Sequence, residues 1–299
     1  MRTLLRSWLL TGIALGALAQ SVPELGYKNV PNWPTLPAGW NFGETSGIAL
    51  DSRGHVFVFN RSDHPLIEFD ANGKFVRSLA EGMFTRTHAL RIDAQDNIWA
   101  TDDGGDMIMK MNKDGRVLMV LGRRRRKASD KVSFNRPTDL AFAPNGDFYI
   151  SDGYGNSRVV KYSKEGEFIS EWGKKGTGPG EFNLPHSVAL DAKGRVYVGD
   201  RENRRLQIFD AGGKFLAQWT HVGSPWGLVI TPDQRIFIGD GYANQVLVTD
   251  LEGKIQGRIG GPGRLPGQFN YVHQLAVGKG GEVYTAEILN WRPQKFVRP

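Results

Sequence analysis

Cysteine is absent from this chain of 299 residues. The absence excludes disulfides and thiolate metal ligands, so any metal site must use histidine and oxygen ligands. Past the N-terminal segment, no apolar run is long enough to span a membrane. Histidine is also scarce, with 6 residues. The hydrophobic share of 40% and the charged share of 23% are nevertheless those of a globular protein that can bury a large core.

The N-terminus has the pattern of a secretory signal peptide. Two arginines precede an apolar run from Trp8 to Leu18, and the run ends at an A-x-A cleavage motif, Ala17 to Ala19. We therefore expect residues 1–19 to be removed and residues 20–299 to form a single domain. The mature protein is then expected to be secreted or periplasmic and to have no stable membrane anchor.

Positive charge exceeds negative charge, with a formal net charge of +7. Part of this excess lies in the run from Arg123 to Lys127, which contains no aromatic residue and is typical of a solvated loop. The sequence predicts no nucleic-acid partner. We expect a monomer that binds a small molecule or a peptide.

One pattern of 15 residues recurs six times without a gap. Each copy has two short apolar runs on either side of a turn, which is the signature of a β-hairpin. Third and fourth strands follow, as in Arg158 to Tyr162 and Glu167 to Trp172. Four strands in each of six repeats predict an all-β fold, a six-bladed β-propeller. The copies are Ser46 to Asn60, His88 to Asp102, Thr138 to Asp152, His186 to Asp200, Trp226 to Asp240 and His273 to Glu287.

The last repeat reaches only its third strand before the sequence ends. We expect part of the segment Leu25 to Trp40 to supply the missing strand and close the ring. Three prolines in that segment suit it only for the edge of a sheet. The linkers Gly176 to Pro185 and Gly263 to Asn270 resemble those of NHL-repeat propellers.

The first position of the repeat forms a column around the predicted ring, and histidine occupies it in every second blade. Alternate members of a six-membered ring are related by an approximate three-fold axis, so these histidines converge on one point. Three imidazoles with an open fourth position form a catalytic zinc constellation, although cobalt, nickel or copper could bind the same ligands. His221 is a further candidate to lie near this site. The column consists of Ser46, His88, Thr138, His186, Trp226 and His273.

Residues just after the hairpin lie on the same face as the histidines, because a hairpin returns to the side on which it began. This places Arg61, Asp103, Tyr154, Arg201 and Tyr242 around the predicted metal. Arginine binds a carboxylate in a bidentate manner, and a tyrosine near a metal and an arginine can serve as a base. The repeat alone does not choose between Tyr154 and Tyr242.

These residues resemble the peptidyl-α-hydroxyglycine α-amidating lyases. The resemblance implies a six-bladed propeller in which the three histidines hold zinc, with Tyr154 as the catalytic tyrosine and Arg61 and Arg201 as active-site arginines. The implied reaction splits a peptidyl-α-hydroxyglycine, whose carboxylate the arginines hold, into a peptide amide and glyoxylate. The segments with the closest resemblance are Ser151 to Val159, Leu184 to Leu190 and Asp200 to Arg205.

The sequence departs from that family at two positions beside the third histidine. The resemblance implies a calcium site at the main-chain oxygens of Ile48 and Leu90, completed by an aspartate where this chain has Gln274. Loss of a carboxylate weakens binding of a hard dication, so the sequence does not favour calcium. Tyr271 stands where the family has methionine and changes the pocket wall.

Other functions are compatible with the same fold, because a propeller hosts binding modules as well as enzymes. A secreted NHL-type propeller that binds or senses a ligand without catalysis is the main alternative. Hydrolysis of esters or lactones by a calcium propeller is less favoured, since such sites use clustered acidic and amide ligands. Six repeats fill the chain, so the monooxygenase that makes hydroxyglycine is expected elsewhere, or a related hydroxy compound is the substrate.

Overall fold

The computed structural model describes residues 22–298, and strands and turns account for all the secondary structure in that range. Within those residues no helix is present that could cross a membrane. The predicted signal peptide, residues 1–19, lies outside the described part of the chain. The strands form six four-stranded antiparallel sheets, which confirms the predicted six-bladed propeller.

The first three blades follow one another along the chain. Blade 1 contains β2 (Thr45–Leu50), β3 (Val56–Asn60), β4 (Leu66–Phe69) and β5 (Phe75–Leu79). Blade 2 contains β6 (Thr87–Ile92), β7 (Ile98–Asp102), β8 (Met107–Met111) and β9 (Val117–Gly122). Blade 3 contains β10 (Asp139–Phe142), β11 (Phe148–Asp152), β12 (Arg158–Tyr162) and β13 (Phe168–Trp172).

The last three blades complete the ring. Blade 4 contains β14 (Pro185–Leu190), β15 (Val196–Asp200), β16 (Arg205–Phe209) and β17 (Phe215–Trp219). Blade 5 contains β18 (Pro225–Ile230), β19 (Ile236–Asp240), β20 (Gln245–Thr249) and β21 (Ile255–Ile259). A short parallel pair, β22 (Gly261–Pro262) and β23 (Gln268–Phe269), precedes blade 6. Blade 6 contains β24 (Val272–Val277), β25 (Val283–Glu287), β26 (Arg292–Val297) and the N-terminal β1 (Lys28–Asn29).

The second strand of each blade is buried on both faces, as β3 and β15 show along their whole length. Neighbouring blades cover its two faces, so these strands are apolar runs rather than alternating ones. Between blades 1 and 2, for example, Phe57 and Leu66 pack with Leu90 and Ile98. The core is therefore a series of layers between blades, and it fixes the inner strands around the axis.

The first residue of the repeat lies at a β-bulge in blades 1, 2, 4, 5 and 6. In blade 4, Pro185 pairs with Asp200 and Ser187 pairs with Gly199, so His186 is the extra residue between them. A bulge redirects the side chain of the extra residue and often lies beside a functional site. All three histidines of the column occupy such positions.

Acidic residues at the ends of the second strands are typical of residues that tie a turn, and the structure confirms this interpretation. Asp200 accepts hydrogen bonds from the Asn183 backbone N–H at 2.7 Å and from Asn203 Nδ2 and Arg205 Nε at 2.8 Å. Asp152 binds Asn135 N and Arg158 Nε in the same way. In each of these blades the carboxylate thus joins two segments. One is the linker that precedes the blade, and the other is the chain that follows the blade's first hairpin.

The segment before blade 1 joins the two ends of the ring. Lys28 and Asn29 pair with Val297 and Phe296 as the outer strand of blade 6. Further along, Trp33 is buried in the core between blades 6 and 1, with its ring 5.3 Å from that of Tyr284. The segment therefore links the last blade to the first through both hydrogen bonds and apolar packing.

Candidate metal centre

Three histidines from alternate blades meet on the propeller axis. The ring centroids of His88, His186 and His273 are 4.6 to 4.9 Å apart, and all three side chains are buried. One nitrogen from each ring lies within 4.8 Å of one nitrogen of each of the others. The structure thus brings together the three histidines that the repeat column singled out.

Each histidine is oriented by the blade that follows it. The Nδ1 atom of His88 lies 2.6 Å from the carbonyl oxygen of Thr138, and that of His186 lies 2.6 Å from the carbonyl of Trp226. His273 makes the same contact with the carbonyl of Ser46 at 2.7 Å. A carbonyl only accepts hydrogen bonds, so Nδ1 carries the proton and Nε2 keeps its lone pair. The three histidines can therefore offer three neutral Nε2 atoms as metal ligands.

Burial keeps these imidazoles neutral. It lowers the pKa of His273 to about 3, and the neighbouring positive charge of Arg61 acts in the same direction. Burial likewise holds the pKa of His88 and of His186 well below the usual value for histidine, with help from the other histidines and nearby arginines. Neutral imidazole is the form that binds a metal.

The chemistry of this donor set fits zinc. Zinc is bound by neutral imidazole nitrogens in tetrahedral geometry, and three protein ligands leave a fourth position for a substrate. The hydrogen bonds from Nδ1 to a carbonyl are those that commonly orient a histidine ligand. His88, His186 and His273 can therefore hold a metal ion, with zinc as the ion that the sequence predicts.

Tyr154 contacts two of the three histidines. Its hydroxyl oxygen is 3.2 Å from His88 Nε2 and 3.3 Å from His186 Nε2. Tyr242 occupies the equivalent position of blade 5, but its hydroxyl donates to Glu202 Oε1 at 2.9 Å and its side chain is exposed. The structure thus separates the two tyrosines that the repeat treated alike, and Tyr154 is the one within reach of the centre.

Arg61 and Arg201 reach the same space from blades 1 and 4. Arg61 donates from Nε to the Thr87 carbonyl at 3.1 Å and forms an ion pair with Glu44. Arg201 pairs with Glu202 at 2.8 Å, and its guanidinium stacks 4.3 Å above the ring of Trp226. A cavity of about 220 Å³ lies between these arginines, Tyr154 and the third histidine. It is large enough for a small carboxylate-bearing group.

Two further arginines belong to this face, and the sequence reasoning missed them. Arg86 and Arg136 both bind the buried Asp103, at 2.7 and 2.8 Å, and Arg136 also stacks 4.3 Å above the ring of Tyr154. Asp103 therefore neutralises arginines rather than approaching the metal site. Both arginines stand two residues before the column, as does Tyr271. Alignment of the repeats at this position, two residues before the histidine column, would have predicted that these arginines lie on the same face.

The remaining candidates divide between the site and the surface. Tyr271 lines the cavity, with its ring centroid 5.1 Å from that of Trp226. Tyr242 packs on the same indole at 5.4 Å. His221 is exposed, and its Nε2 lies 2.8 Å from the Gly253 carbonyl in the outer hairpin of blade 5. The structure thus places His221 away from the other candidates.

The implied calcium ligands do not fit a cation in this structure. Gln274 Oε1 accepts hydrogen bonds from the backbone N–H groups of Ile48 and Leu90, at 3.0 and 3.1 Å. Its Nε2 is buried without an acceptor among the described residues, so it presents a donor where calcium needs oxygen ligands. The carboxylate of Asp139, behind the histidines, is bound at both oxygens by Arg91.

A second group of possible metal ligands lies in blade 1. Asp51, His55 and Glu68 have ligand atoms within 4.8 Å of one another. However, Glu68 already binds His55 Nδ1 at 2.7 Å and Arg77 Nε at 2.6 Å, and Arg53 pairs with Asp51 at 2.6 Å. These carboxylates are neutralised within the protein, so the group is an ion-pair network.

Comparison with known sequences relates the chain to NHL-repeat proteins. The family model described as NHL repeat matches residues 134–162 and 182–209, which lie in blades 3 and 4. Human NHL repeat-containing protein 3 is 31% identical, with 94% of this chain and 87% of that protein covered. Drosophila melanogaster peptidyl-α-hydroxyglycine α-amidating lyase 1 is 27% identical, with 96% of this chain and 66% of that protein covered.

The longer amidating proteins match over part of their length. Xenopus laevis peptidyl-glycine α-amidating monooxygenase B is 30% identical over 86% of this chain, which spans 34% of that protein. Among solved structures, streptogramin B lyase superposes with a TM-score of 0.64 at 16% identity, with 91% of this chain and 97% of that chain covered. At that identity the likeness shows the fold alone.

Fold and site together define a class, a six-bladed β-propeller with a three-histidine centre on its axis. The comparisons narrow the class further, since this chain matches the NHL repeat model and its relatives include both an NHL repeat-containing protein and named lyases. The chain belongs to the NHL-repeat propeller family that includes the peptidyl-α-hydroxyglycine α-amidating lyases.

Proposed function

We propose that this protein is a zinc-dependent lyase that cleaves the N–C bond of an α-hydroxyglycine-type substrate to give an amide and glyoxylate. The observation that carries the proposal is the convergence of three oriented, neutral imidazoles, two of which lie within 3.3 Å of the hydroxyl of Tyr154. Relatives named as lyases of this reaction support it. Secretion and the monomeric state belong to the same proposal and rest on the sequence.

The reaction requires one proton transfer and one bond cleavage. Zinc, when bound, supplies Lewis acidity that favours loss of the hydroxyl proton of the substrate. Tyr154, in its phenolate form, takes that proton as general base. The oxygen electrons then form the carbonyl of glyoxylate, the C–N bond breaks, and its electron pair moves to the amide nitrogen. Tyr154 returns the proton to that nitrogen, so no further reactant is needed.

Arg61 and Arg201 hold the substrate in place. Each keeps one acidic partner, Glu44 or Glu202, and still borders the cavity. A guanidinium binds a carboxylate through two parallel hydrogen bonds and stabilises negative charge as it develops. The carboxylate of the substrate therefore lies between the arginines, with its hydroxyl toward the histidines and Tyr154.

The proposal is tested by metal content and glyoxylate release. We expect wild-type protein to contain about one zinc per chain and to release glyoxylate from N-benzoyl-α-hydroxyglycine. His186→Ala removes one of three ligands, so both zinc and activity should be lost. His221→Ala removes an exposed histidine and should retain both.

The outcome also decides between this proposal and the alternative function. A propeller that binds a ligand without catalysis is favoured by human NHL repeat-containing protein 3, whose name specifies no reaction. Full activity of His186→Ala contradicts zinc-dependent cleavage. Wild-type protein that contains zinc but leaves several α-hydroxyglycine peptides intact contradicts the lyase reaction and favours the binding function.

A further inference from the structure

One side of the candidate site is an aromatic wall, in which Trp226 and Tyr271 line the cavity and Tyr242 packs against both rings. The Trp226 ring centroid lies 5.4 Å from that of Tyr242 and 5.1 Å from that of Tyr271, and the two tyrosine rings are 6.3 Å apart. Leu289 borders the same cavity beside Tyr271. Blades 5 and 6 supply all four residues, so the wall occupies one side of the opening of this cavity.

The other four blades present charged or polar groups to the mouth. Arg61, Arg86, Tyr154 and Arg201 come from blades 1 to 4 in order and border the same cavity. Because the carboxylate of a substrate binds the cationic side, an apolar part of the molecule has only blades 5 and 6 to contact. The cavity is therefore divided by polarity.

The aromatic wall is held in place before any ligand arrives. Tyr242 donates its hydroxyl hydrogen bond to Glu202, which also pairs with Arg201, and Arg201 stacks on Trp226. The backbone N–H of Tyr271 donates to Asn244 Oδ1 at 2.6 Å. A rigid aromatic surface loses little conformational freedom when a ligand binds, which favours affinity.

The wall nevertheless leaves apolar surface open to solvent. Leu289, which lines the cavity, is 47% exposed, and Tyr242, which packs on the lining residue Trp226, is 40% exposed. Exposed apolar side chains at the rim of a pocket indicate contact with a ligand. Among residues 22–298, moreover, the buried Nε1 of Trp226 has no hydrogen-bond partner, so the indole makes its contacts through its ring faces and edges.

We infer that the aromatic wall binds the acyl group on the amide side of the scissile bond. The substrate class is accordingly N-acyl-α-hydroxyglycines whose acyl portion is aromatic or branched aliphatic next to the amide. This inference rests on the proposed function, because the orientation of the substrate follows from its carboxylate and hydroxyl. Tyr242 and Leu289 are then specificity-determining residues.

Binding of uncleavable ligands tests the inference without turnover. N-benzoylglycine and N-acetylglycine carry no hydroxyl group to react and differ only in the acyl group, so calorimetry measures the contribution of the wall. An aromatic contact is worth about 0.5–1.5 kcal/mol, which corresponds to about twofold to thirteenfold in affinity. Wild-type protein should prefer the benzoyl ligand, and Tyr242→Ala and Leu289→Ala should each reduce the preference by that factor.

Two controls distinguish the wall from general damage. Tyr242→Phe keeps the ring and should keep the benzoyl preference. Leu118→Ala removes a leucine of similar exposure, 49%, from the outer strand of blade 2 and should change neither affinity. With N-benzoyl-α-hydroxyglycine as substrate, Tyr242→Ala should raise KM more than it lowers kcat.

Three results would overturn the inference. These are equal affinity of wild type for both ligands, an unchanged preference in Tyr242→Ala and Leu289→Ala, or loss of preference only in Asp63→Ala. Asp63 lines a neighbouring cleft of about 510 Å³ between blades 1 and 2, which shares Arg61 and Arg86 with the cavity, so the last result would place the acyl group there. Benzoyl selectivity without glyoxylate release contradicts the proposed reaction alone, whereas release without selectivity contradicts this inference alone.

Discussion

Tyr154 and Tyr242 show how much depends on the direction of one side chain. Both follow the hairpin by the same number of residues, yet Tyr154 reaches the histidines and Tyr242 turns to Glu202. Arg136 lies on the face of the Tyr154 ring, with Asp103 behind it. The phenol is thus held against the imidazoles of His88 and His186 by stacking with Arg136 as well as by hydrogen bonds.

Tyr154→Phe should retain zinc and lose most activity, because the phenyl ring keeps the packing and removes the group that transfers the proton. General acid–base groups contribute about 10²- to 10⁴-fold, so kcat for glyoxylate release should fall within that range. Steady-state kinetics and metal analysis measure the two effects separately. Tyr27→Phe removes a hydroxyl that donates to the Gly281 carbonyl, outside the site, and should leave kcat unchanged. A Tyr154→Phe enzyme with wild-type kcat excludes Tyr154 as the base.

The repeat contained enough information to predict the hairpins and their common direction. Alignment of six copies predicted the column of histidines, because the position of a residue in a blade is set by strand pairing. It could not predict which tyrosine reaches the centre, since side-chain direction depends on neighbours such as Arg136 and Glu202 that come from other blades. The pairing of Arg91 with Asp139 was likewise hidden, because it joins two different repeats.

The N-terminal segment is the element on which closure of the ring depends. Its outer strand in blade 6 is only two residues long, and Trp33 adds apolar packing against Tyr284 and the Gly73 turn. A side chain at Gly73 would collide with the indole, and the positive φ of 87° at that turn also suits glycine. Apolar packing therefore adds to the hydrogen bonds that fasten this segment.

Trp33→Ala should destabilise the whole propeller rather than one strand. The indole is 9% exposed, and loss of a buried tryptophan costs about 3–5 kcal/mol in unfolding free energy. Urea titration followed by circular dichroism measures the change. Trp291→Ala removes an indole that is 56% exposed and should change the free energy by less than about 0.5 kcal/mol. Equal effects of the two substitutions would show that the segment does not fasten the ring.

Across the whole molecule, the channel behind the histidines is closed by protein groups. Arg91 joins blade 2 to Asp139 of blade 3 and to the Leu228 carbonyl of blade 5, while Gln274 joins blade 6 to blades 1 and 2. The histidines themselves come from blades 2, 4 and 6. A metal on the axis would thus connect blades 2, 4 and 6. Arg91 and Gln274, which lie behind the histidines, connect blades 1, 3 and 5 to these blades.

Zinc should therefore raise the thermal stability of metal-free protein, whereas calcium should not. A ligand that binds only the folded state stabilises it by about 2.7 kcal/mol at 100 times its Kd, so zinc should raise Tm by several degrees in differential scanning calorimetry. Calcium meets the neutral Gln274 amide and a carboxylate already paired with Arg91, and millimolar calcium should leave Tm unchanged. His186→Ala should abolish the zinc effect and His221→Ala should preserve it. A rise in Tm with calcium equal to that with zinc would contradict the assignment of Gln274 and the Arg91–Asp139 pair as the groups that close the channel.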